Sequence, residues 1–389
     1  MMQINEKRNN WFERNPKKTL IFFLLFFIVG LTVLAEIIIS YKNNTYFSGI
    51  IRYIRLREIS PLTSRYVSPD RIELNFSDSL IDKKYLLRTD EDGFIVPSKL
   101  NDDPEITIVF LGGSTTECRY NDEKKRYPYL TGELLAKETG LKINAYNSGV
   151  SGNNTLHLIN ILLNKIIPLD PNVVVLMENI NDLSTLLNLK TYWNNNPSRS
   201  LIITSNNFNI KILKRSIKYL FPNLYFTISR FYRFTITVPD EFSSSRDMQV
   251  VINKSRLIKE FRSNLQIFID ICKTREITPI LMTQPNRLKN SLDPVLRNFF
   301  DSSERKGISY QEFKIIYDHF NETIRDIALK NNILCIDLAK EVPQEKDFMF
   351  DLVHLTENGS KLVAEIIKRE LMPIIVNIRK LKKPSHKVE

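Results

Sequence analysis

The chain has 389 residues, 43% of them hydrophobic and 25% charged, a composition that predicts a globular protein with a large core rather than a disordered chain. Three cysteines are too few for a disulfide framework, and four histidines without a nearby cysteine cluster argue against a metal site. The net charge of +11 suits a membrane surface or an anionic polymer. No basic run carries a nucleic-acid-binding motif, so we expect no nucleic-acid partner. We also expect no cofactor.

The first strongly apolar segment runs from Thr19 to Ser40, with Glu36 as its only charge. Its length matches the hydrocarbon core of a bilayer, which predicts a transmembrane anchor at residues 19–40. A signal sequence is the alternative, because Val33-Leu34-Ala35 is typical of a cleavage site. Basic residues lie on both sides, with a small excess that favours a cytoplasmic segment at 1–18 and an extracytoplasmic main domain, periplasmic or at the cell surface.

Residues 41–104 are polar with scattered apolar positions, and we predict a stem that packs partly against the main domain. Around Asp92-Gly93 the pattern is typical of a short hairpin. The sequence indicates no chemistry in this segment.

The main domain is predicted at residues 105–375, and its first buried strand, from Ile106, ends abruptly at Gly112-Gly113-Ser114. Ser114 should therefore lie at the carboxyl end of a parallel strand, where open α/β sheets bind their ligands. The glycines permit a sharp turn that would present the hydroxyl as a nucleophile. Alternatively, Ser114 is only the N-cap of the next helix.

Further buried runs alternate with amphipathic helical patterns along the rest of the domain. This alternation predicts a three-layer α/β/α sandwich with a five-stranded parallel sheet. After the first strand, the predicted strands are 141–148, 172–177, 278–283 and 334–338, and the predicted helices are 128–140, 156–166, 255–275, 310–331 and one that begins at Glu357.

Residues 184–253 interrupt the alternation with asparagine-rich and then basic, aromatic sequence. An insertion of this length is compatible with a substrate cap, with a patch that rests on lipid headgroups, or with a surface elaboration that packs its own aromatic rings. Its basic and aromatic residues include Lys211, Lys214, Arg215, Lys218, Phe221, Tyr225, Phe226, Arg230, Phe231, Tyr232 and Arg233. A basic tail, expected to be disordered, occupies residues 376–389.

A second group with chemical potential lies just before the last helix, where Asp351 precedes His354 by three residues. This spacing suits a carboxylate that orients an imidazole within one turn.

The other reactive side chains have simpler interpretations. His157 is expected at the surface at a helix start, His319 on a solvent-facing or hydrogen-bonded helix position, and Cys118 lacks a second His and carboxylate to activate it. Cys272 and Cys335 are predicted as buried thiols, and Glu117 as a residue of the pocket mouth or a helix start.

Taken together, these segments resemble the SGNH hydrolase superfamily, also called GDSL-type esterases, over residues 105–371 apart from the insertion. Gly112-Gly-Ser-Thr is similar to its nucleophile block and Gly149-Val-Ser-Gly-Asn-Asn-Thr155 to its second block. Asn179-Ile-Asn-Asp182 is similar to the third block, normally Gly-x-Asn-Asp, and Asp351-Leu-Val-His354 to the last. Gly113 lies where many members have aspartate, a replacement seen widely in the family. Asn179, where glycine is usual, is the one departure that matters, because it could distort the loop that carries Asn181 or narrow the substrate groove.

The resemblance implies a flavodoxin-like fold and a role for each block. Ser114 would be the nucleophile, His354 its base and Asp351 the acid that orients the base. The backbone N–H groups of Ser114 and Gly152 and the Asn181 amide would form the oxyanion hole.

The leading functional hypothesis is an extracytoplasmic serine esterase, anchored by its amino-terminal helix, that removes acyl groups such as acetyl from a glycan or a lipid. One alternative is an O-acyltransferase that passes the acyl group to a cell-surface polysaccharide. Another is a catalytically inactive binding or scaffold protein, which Asn179 in place of glycine keeps open. The acyl group, the acceptor and the oligomeric state do not follow from the sequence.

Overall fold

A computed structural model describes residues 10–42, 51–196, 198–205, 252–297 and 308–382, together with the single positions 221, 224, 228 and 300. The chain divides into one unit of residues 1–53 with 204–228 and a second of residues 54–203 with 229–389. Most of the predicted insertion lies outside the described residues. Of the basic and aromatic residues named above, only Phe221 is described, and that side chain is exposed.

The smaller unit contains helices α1 (Trp11–Arg14) and α2 (Pro16–Lys42). Asn10 begins α1, and its side chain accepts the Glu13 N–H at 3.1 Å. Within α2, Pro16–Ile39 has a mean hydropathy of 2.8, and none of it is buried in the protein. The predicted apolar helix is therefore present, and it is long and apolar enough to cross a membrane.

The larger unit holds the remaining elements apart from β1 and β7, whose residues are divided between the two units. The strands are β1 (Ile51–Ile54), β2 (Ser64–Val67), β3 (Tyr85–Arg88), β4 (Ile106–Gly112), β5 (Ile143–Gly149), β6 (Val173–Met177), β7 (Ile202–Ser205), β8 (Thr278–Met282) and β9 (Cys335–Ile336). The helices are α3 (Arg71–Asn75), α4 (Ser114–Glu117), α5 (Tyr127–Thr139), α6 (Thr155–Ile161), α7 (Ile180–Leu189), α8 (Lys254–Thr274), α9 (Tyr310–Lys330), α10 (Leu338–Glu341) and α11 (Glu357–Lys382).

Five strands form one parallel sheet in the order β5-β4-β6-β8-β9, which confirms the predicted five-stranded sheet. The pairing register places Gly112 at the end of β4 opposite Gly149 of β5 and Met177 of β6. Met177 in turn lies opposite Met282 of β8. The carboxyl ends of four neighbouring strands therefore meet at one edge, where each leads into a different loop.

Both faces of this sheet are covered, as expected for strands that are apolar at every position. Val109 and Leu111 of β4 pack on one face with α6, α7, α8 and α9. Ile108 and Phe110, which alternate with them, pack on the other face with α5 and α11. These layers confirm the predicted α/β/α sandwich.

The segment before the main domain packs along the free side of β5. Strand β2 pairs antiparallel with β3, and the predicted hairpin is closed by an antiparallel bridge between Thr89 and Ile95. The Ile95 N–H donates to the Asn147 carbonyl of β5 at 3.0 Å. This contact occupies an exposed sheet edge, a common means of preventing edge-to-edge association.

Some element boundaries differ from the prediction. Strand β9 is only two residues long, because it is an edge strand with β8 as its one neighbour and Asp337 turns the chain into α10. Helix α7 continues to Leu189, with Leu186 and Leu187 in the core, so residues 184–189 belong to the domain rather than to the insertion. Helix α11 extends to Lys382, and the rest of the basic tail lies outside the described residues.

Candidate active site

Ser114 lies at the carboxyl end of β4 as the first residue of α4. The turn requires a glycine before it, because a Cβ at Gly112 would lie 2.1 Å from Thr116 Oγ1. The N-cap of α4 is Gly113, with no side-chain cap hydrogen bond, so Ser114 is not the cap that the alternative interpretation expected. Its hydroxyl instead lies 2.7 Å from His354 Nε2, although the two residues are 240 positions apart.

His354 is held on its other side by Asp351, in the loop before α11. The Nδ1 atom of His354 lies 2.6 Å from Asp351 Oδ2. Asp351 Oδ1 accepts the backbone N–H groups of Val353 at 3.0 Å and His354 at 2.8 Å. One carboxylate thus fixes both the turn and the imidazole, and the Phe350 ring stacks on the imidazole at 5.6 Å.

The electrostatic environment of His354 combines opposing effects. Burial lowers the pKa of the imidazole, but the charge and hydrogen bond of Asp351 raise it by more, so that the pKa lies above the usual 6.5. An imidazole in this position can take the Ser114 proton and be stabilised as imidazolium by Asp351.

Arg287, which the sequence did not single out, anchors the loop that carries His354. Its backbone N–H donates to the Leu352 carbonyl at 2.9 Å, and its guanidinium donates to the Met349 carbonyl at 3.1 Å. The same guanidinium forms ion pairs with Asp78 and Asp293, each at 2.7 Å. The Arg287 side chain is 3% exposed, so these two carboxylates, rather than water, stabilise its charge.

Replacing Arg287 with methionine should lower the free energy of unfolding by about 3–5 kcal/mol, because it leaves the nearly buried Asp293 with the more distant Lys289, at 3.8 Å, as its cationic partner. Urea denaturation of the full chain in detergent measures this effect. Arg369→Met is the matched control: Arg369 pairs with Glu341 but is 55% exposed, so its loss should cost less than about 1 kcal/mol. Equal stabilities for the two variants would show that Arg287 does not hold the loop.

The predicted second block follows β5, and Gly152 adopts a left-handed conformation with φ of +78°. Two arginines hold its carbonyl oxygen: Arg57 Nη1 donates to it at 3.0 Å, and Arg199 also donates to it. The preceding residue, Ser151, donates its N–H and hydroxyl to Glu117 Oε2 at 2.6 and 2.5 Å. Glu117 is therefore an interior anchor of this loop and not a residue of the pocket mouth.

The expectation that His157 lies at the surface is wrong. The side chain is 1% exposed, its Nδ1 accepts the Asn154 N–H at 3.0 Å, and its Nε2 lies 2.7 Å from the Arg199 carbonyl. Burial and the nearby Arg57 charge lower its pKa to about 3. His157 forms a capping box with Asn154 at the start of α6, which an isolated sequence pattern does not reveal.

The third block follows β6 and begins α7. Asn179 replaces the usual glycine at φ of −157°, an extended conformation that any residue adopts. Its side chain is buried and donates to the Tyr317 carbonyl at 3.1 Å and to Asn321 Oδ1 at 3.0 Å, both on α9. The asparagine therefore causes no backbone strain, and its side chain contacts α9.

The Asn181 amide lies directly against the residue before the nucleophile. A Cβ at Gly113 would be 2.3 Å from Asn181 Nδ2, so a side chain at this position would displace the amide. The neighbouring Asp182 accepts the Thr155 N–H at 3.1 Å and the Tyr192 hydroxyl at 2.5 Å, which ties α7 to the start of α6. Burial raises the pKa of Asp182 to about 7.

Gln284 joins three of these loops, and the sequence analysis missed it. Its Nε2 donates to Thr115 Oγ1 at 2.8 Å, and its Oε1 accepts the Ile180 N–H at 2.9 Å and the Tyr317 hydroxyl at 3.0 Å. A polar residue just beyond a buried strand such as β8 was the only available signal.

A cleft of about 70 Å³ opens beside the Ser114 hydroxyl. Its walls include residues that the sequence analysis did not assign: Glu73, Arg119, Tyr120, Ser151 and Phe350. Glu73 comes from α3, in the segment predicted to carry no chemistry, and its Oε2 accepts the Tyr120 hydroxyl at 2.6 Å. Arg119 pairs with Glu117 at 2.9 Å.

The three cysteines are free thiols. Burial raises the pKa of Cys118 to about 12, so this cysteine beside the cleft is not a nucleophile at neutral pH. Across the part of the chain that the structure describes, no group of three His, Cys, Asp or Glu side chains is arranged to hold a metal ion.

Comparison with known proteins gives a family match and distant structural likenesses. The sequence profile of the GDSL-like lipase/acylhydrolase family matches residues 110–362. Among curated protein sequences, none matches. An acetylxylan esterase from Geobacillus stearothermophilus is 17% identical, covering 69% of this chain and 94% of its own, with a TM-score of 0.40. A protein described as a GDSL-like lipase from Parabacteroides merdae is 14% identical, covering 71% and 99%, with a TM-score of 0.43.

Proposed function

Because this chain belongs to the GDSL-like lipase/acylhydrolase family and is therefore an ester hydrolase, we propose that it cleaves esters through an acyl-serine intermediate on Ser114. One observation carries the proposal: the Ser114 hydroxyl lies 2.7 Å from His354 Nε2 while His354 Nδ1 lies 2.6 Å from Asp351. A serine hydroxyl is a weak nucleophile until a base takes its proton, and these contacts supply the base and its orienting carboxylate.

In the proposed reaction, Ser114 Oγ attacks the ester carbonyl carbon as its proton passes to His354 Nε2. The carbonyl oxygen, now negative, accepts hydrogen bonds from the Ser114 and Gly152 N–H groups and from the Asn181 amide. His354 then donates its proton to the leaving alcohol, whose bond to the acyl carbon breaks. A water molecule, activated in the same way, releases the acid and restores Ser114.

The cleft supports a short acyl group as substrate. Its volume of about 70 Å³ is well below the roughly 300–1,000 Å³ of pockets that enclose drug-sized ligands. Glu73 and Arg119 line it and favour a hydroxyl-rich alcohol such as a sugar, because a carboxylate accepts and a guanidinium donates hydrogen bonds. The proposed substrate is therefore a short-chain ester, such as an acetyl ester, of a glycan or of a polar lipid headgroup.

The amino-terminal helix supports a membrane-anchored enzyme whose catalytic unit is extracytoplasmic. Pro16–Ile39 is apolar enough to span a bilayer, and the residues before it include Arg14. Short basic segments are retained on the cytoplasmic side. Protease treatment of intact cells that express the protein tests the orientation. Protease added outside should digest residues 54–382, and protection of these residues would contradict an extracytoplasmic catalytic unit.

Hydrolysis of aryl esters by the full chain in detergent tests the proposed function. Acetate should be cleaved faster than octanoate, because the cleft restricts chain length. Ser114→Ala should abolish both reactions. A sugar acceptor that captured the acyl group faster than water would instead identify the O-acyltransferase alternative, with the same acyl-serine.

The pH dependence of kcat/KM should show a single acidic limb with a pKa above 6.5, set by His354. The imidazole must be neutral to accept the serine proton, so the rate is lost as the pH falls through this pKa, by about tenfold per pH unit. Initial rates between pH 5 and pH 9 measure the limb. A rate that does not change across this range would exclude His354 as the base.

A further inference from the structure

The proposed reaction does not use Glu178, although this carboxyl group is buried at the end of β6 beside the proposed oxyanion hole. Glu178 is 0% exposed. Its Oε1 accepts the backbone N–H groups of Asn179 and Asn181, each at 3.2 Å. A buried carboxyl group costs stability unless its partners compensate, so its position calls for a functional explanation.

The second oxygen of Glu178 and the Asn181 amide converge on the same point. A Cβ at Gly113 would lie 2.9 Å from Glu178 Oε2 and 2.3 Å from Asn181 Nδ2, so both atoms pack against the residue that precedes the nucleophile. Within the part of the chain that the structure describes, neither atom has a hydrogen-bond partner. A buried acceptor and a buried donor thus lie beside the residue that precedes the nucleophile.

The orientation of an asparagine amide depends on its neighbours, because its oxygen and NH₂ ends have nearly the same size. Only the NH₂ end can donate to an oxyanion. An acceptor oxygen beside that end favours the useful orientation and disfavours the flipped one, in which two oxygens would face each other.

We propose that Glu178 is a positioning residue that holds the NH₂ group of Asn181 toward the oxyanion, an inference that rests on the proposed esterase function. Its Oε1 fixes the backbone of Asn181, and its Oε2 selects the orientation of the amide. Gly113 leaves the space in which the two side chains meet.

The protonation of Glu178 is compatible with this role. Burial and the charge of Asp182 raise its pKa well above the usual value for a glutamate, against the effect of the N–H groups of Asn181 and Asn179. The other titratable groups that interact with it are the hydroxyls of Tyr127, Tyr192 and Tyr317. The hydrogen bonds from the Asn179 and Asn181 N–H groups favour the ionised form of Glu178, in which Oε2 is the acceptor that the Asn181 amide requires.

The test is a double-mutant cycle of Glu178→Gln and Asn181→Ala, measured as kcat and KM for an aryl acetate. Glutamine keeps one oxygen for the two backbone N–H groups and puts an NH₂ group where Asn181 needs an acceptor. We expect kcat to fall by roughly 10–100-fold, within the loss of one oxyanion donor, while KM changes little. In the Asn181→Ala background the same substitution should cause no further loss, because the group through which Glu178 acts is gone.

Asp337→Asn is the control for a carboxyl-to-amide change away from the site: Asp337 bonds Arg325 and Thr283, and its replacement should leave kcat unchanged. If Glu178→Gln does not fold, Glu178→Asp enters the cycle in its place. An unchanged kcat, or an equal loss with and without Asn181, would overturn the positioning role. A wild-type protein that cleaves no ester would instead overturn the proposed function, and the positioning role with it.

Discussion

Replacing His354 with alanine should lower kcat for ester hydrolysis by about 10⁴–10⁶-fold, the range found when a base is removed from a serine hydrolase. The reason is geometric: among the described residues, His354 is the only histidine that contacts the Ser114 hydroxyl. KM should change little, since the imidazole contributes to proton transfer more than to substrate binding. Steady-state kinetics on an aryl acetate measure both constants.

His319→Ala is the matched control, because His319 is exposed on α9 and contacts no residue of the cleft. The control should keep full activity. Comparable activity of His354→Ala and the wild type would mean that another group deprotonates the serine.

Replacing Asn181 with alanine should lower kcat by about 10²–10³-fold, the usual cost of one oxyanion-hole donor. The amide packs against Gly113 beside the nucleophile, and its buried Nδ2 has no hydrogen-bond partner among the described residues. A loss that appeared in KM instead of kcat would indicate a role in binding and not in stabilising the tetrahedral intermediate.

Asn188→Ala provides the control on the same helix. Asn188 donates to the Ser184 carbonyl at 2.8 Å, one helical turn earlier, and does not line the cleft. Its replacement should leave both kcat and KM within about twofold of the wild type, as expected for a partly exposed helix position away from the site.

The sheet and the positions of the reactive residues at strand ends and in loops could be predicted, because both depend on local signals. Buried runs end at Gly112 and Gly149, and the carboxyl ends of parallel strands meet at one edge. The spacing of Asp351 and His354 is also local, since one carboxylate can bond both the turn and the ring. These patterns place Ser114 at a strand end and Asp351 and His354 in one loop, and the resemblance to the SGNH hydrolases implied that the two loops meet.

The walls and supports of the site could not be predicted, because they depend on contacts between distant segments. Glu73 lies on α3, to which the sequence assigns no role. At the cleft it accepts a hydrogen bond from the hydroxyl of Tyr120, 47 residues later in the chain. Arg287 is buried by its pairing with Asp78, 209 residues away. A charged residue in a polar loop gives no sign of such burial, and the same applies to His157.

The alternative of an inactive scaffold rested on Asn179. Its backbone conformation does not require glycine, and its side chain contacts α9. The geometry around Asn179 therefore gives no reason to expect that Asn181 is displaced.

The central claim is that Ser114 is a nucleophile activated by His354. A fluorophosphonate probe reports this directly, because it reacts covalently with an activated serine and needs no knowledge of the natural ester. The wild-type protein should be labelled, and labelling should disappear in Ser114→Ala. Equal labelling of the two proteins, or no labelling of the wild type, would contradict the claim.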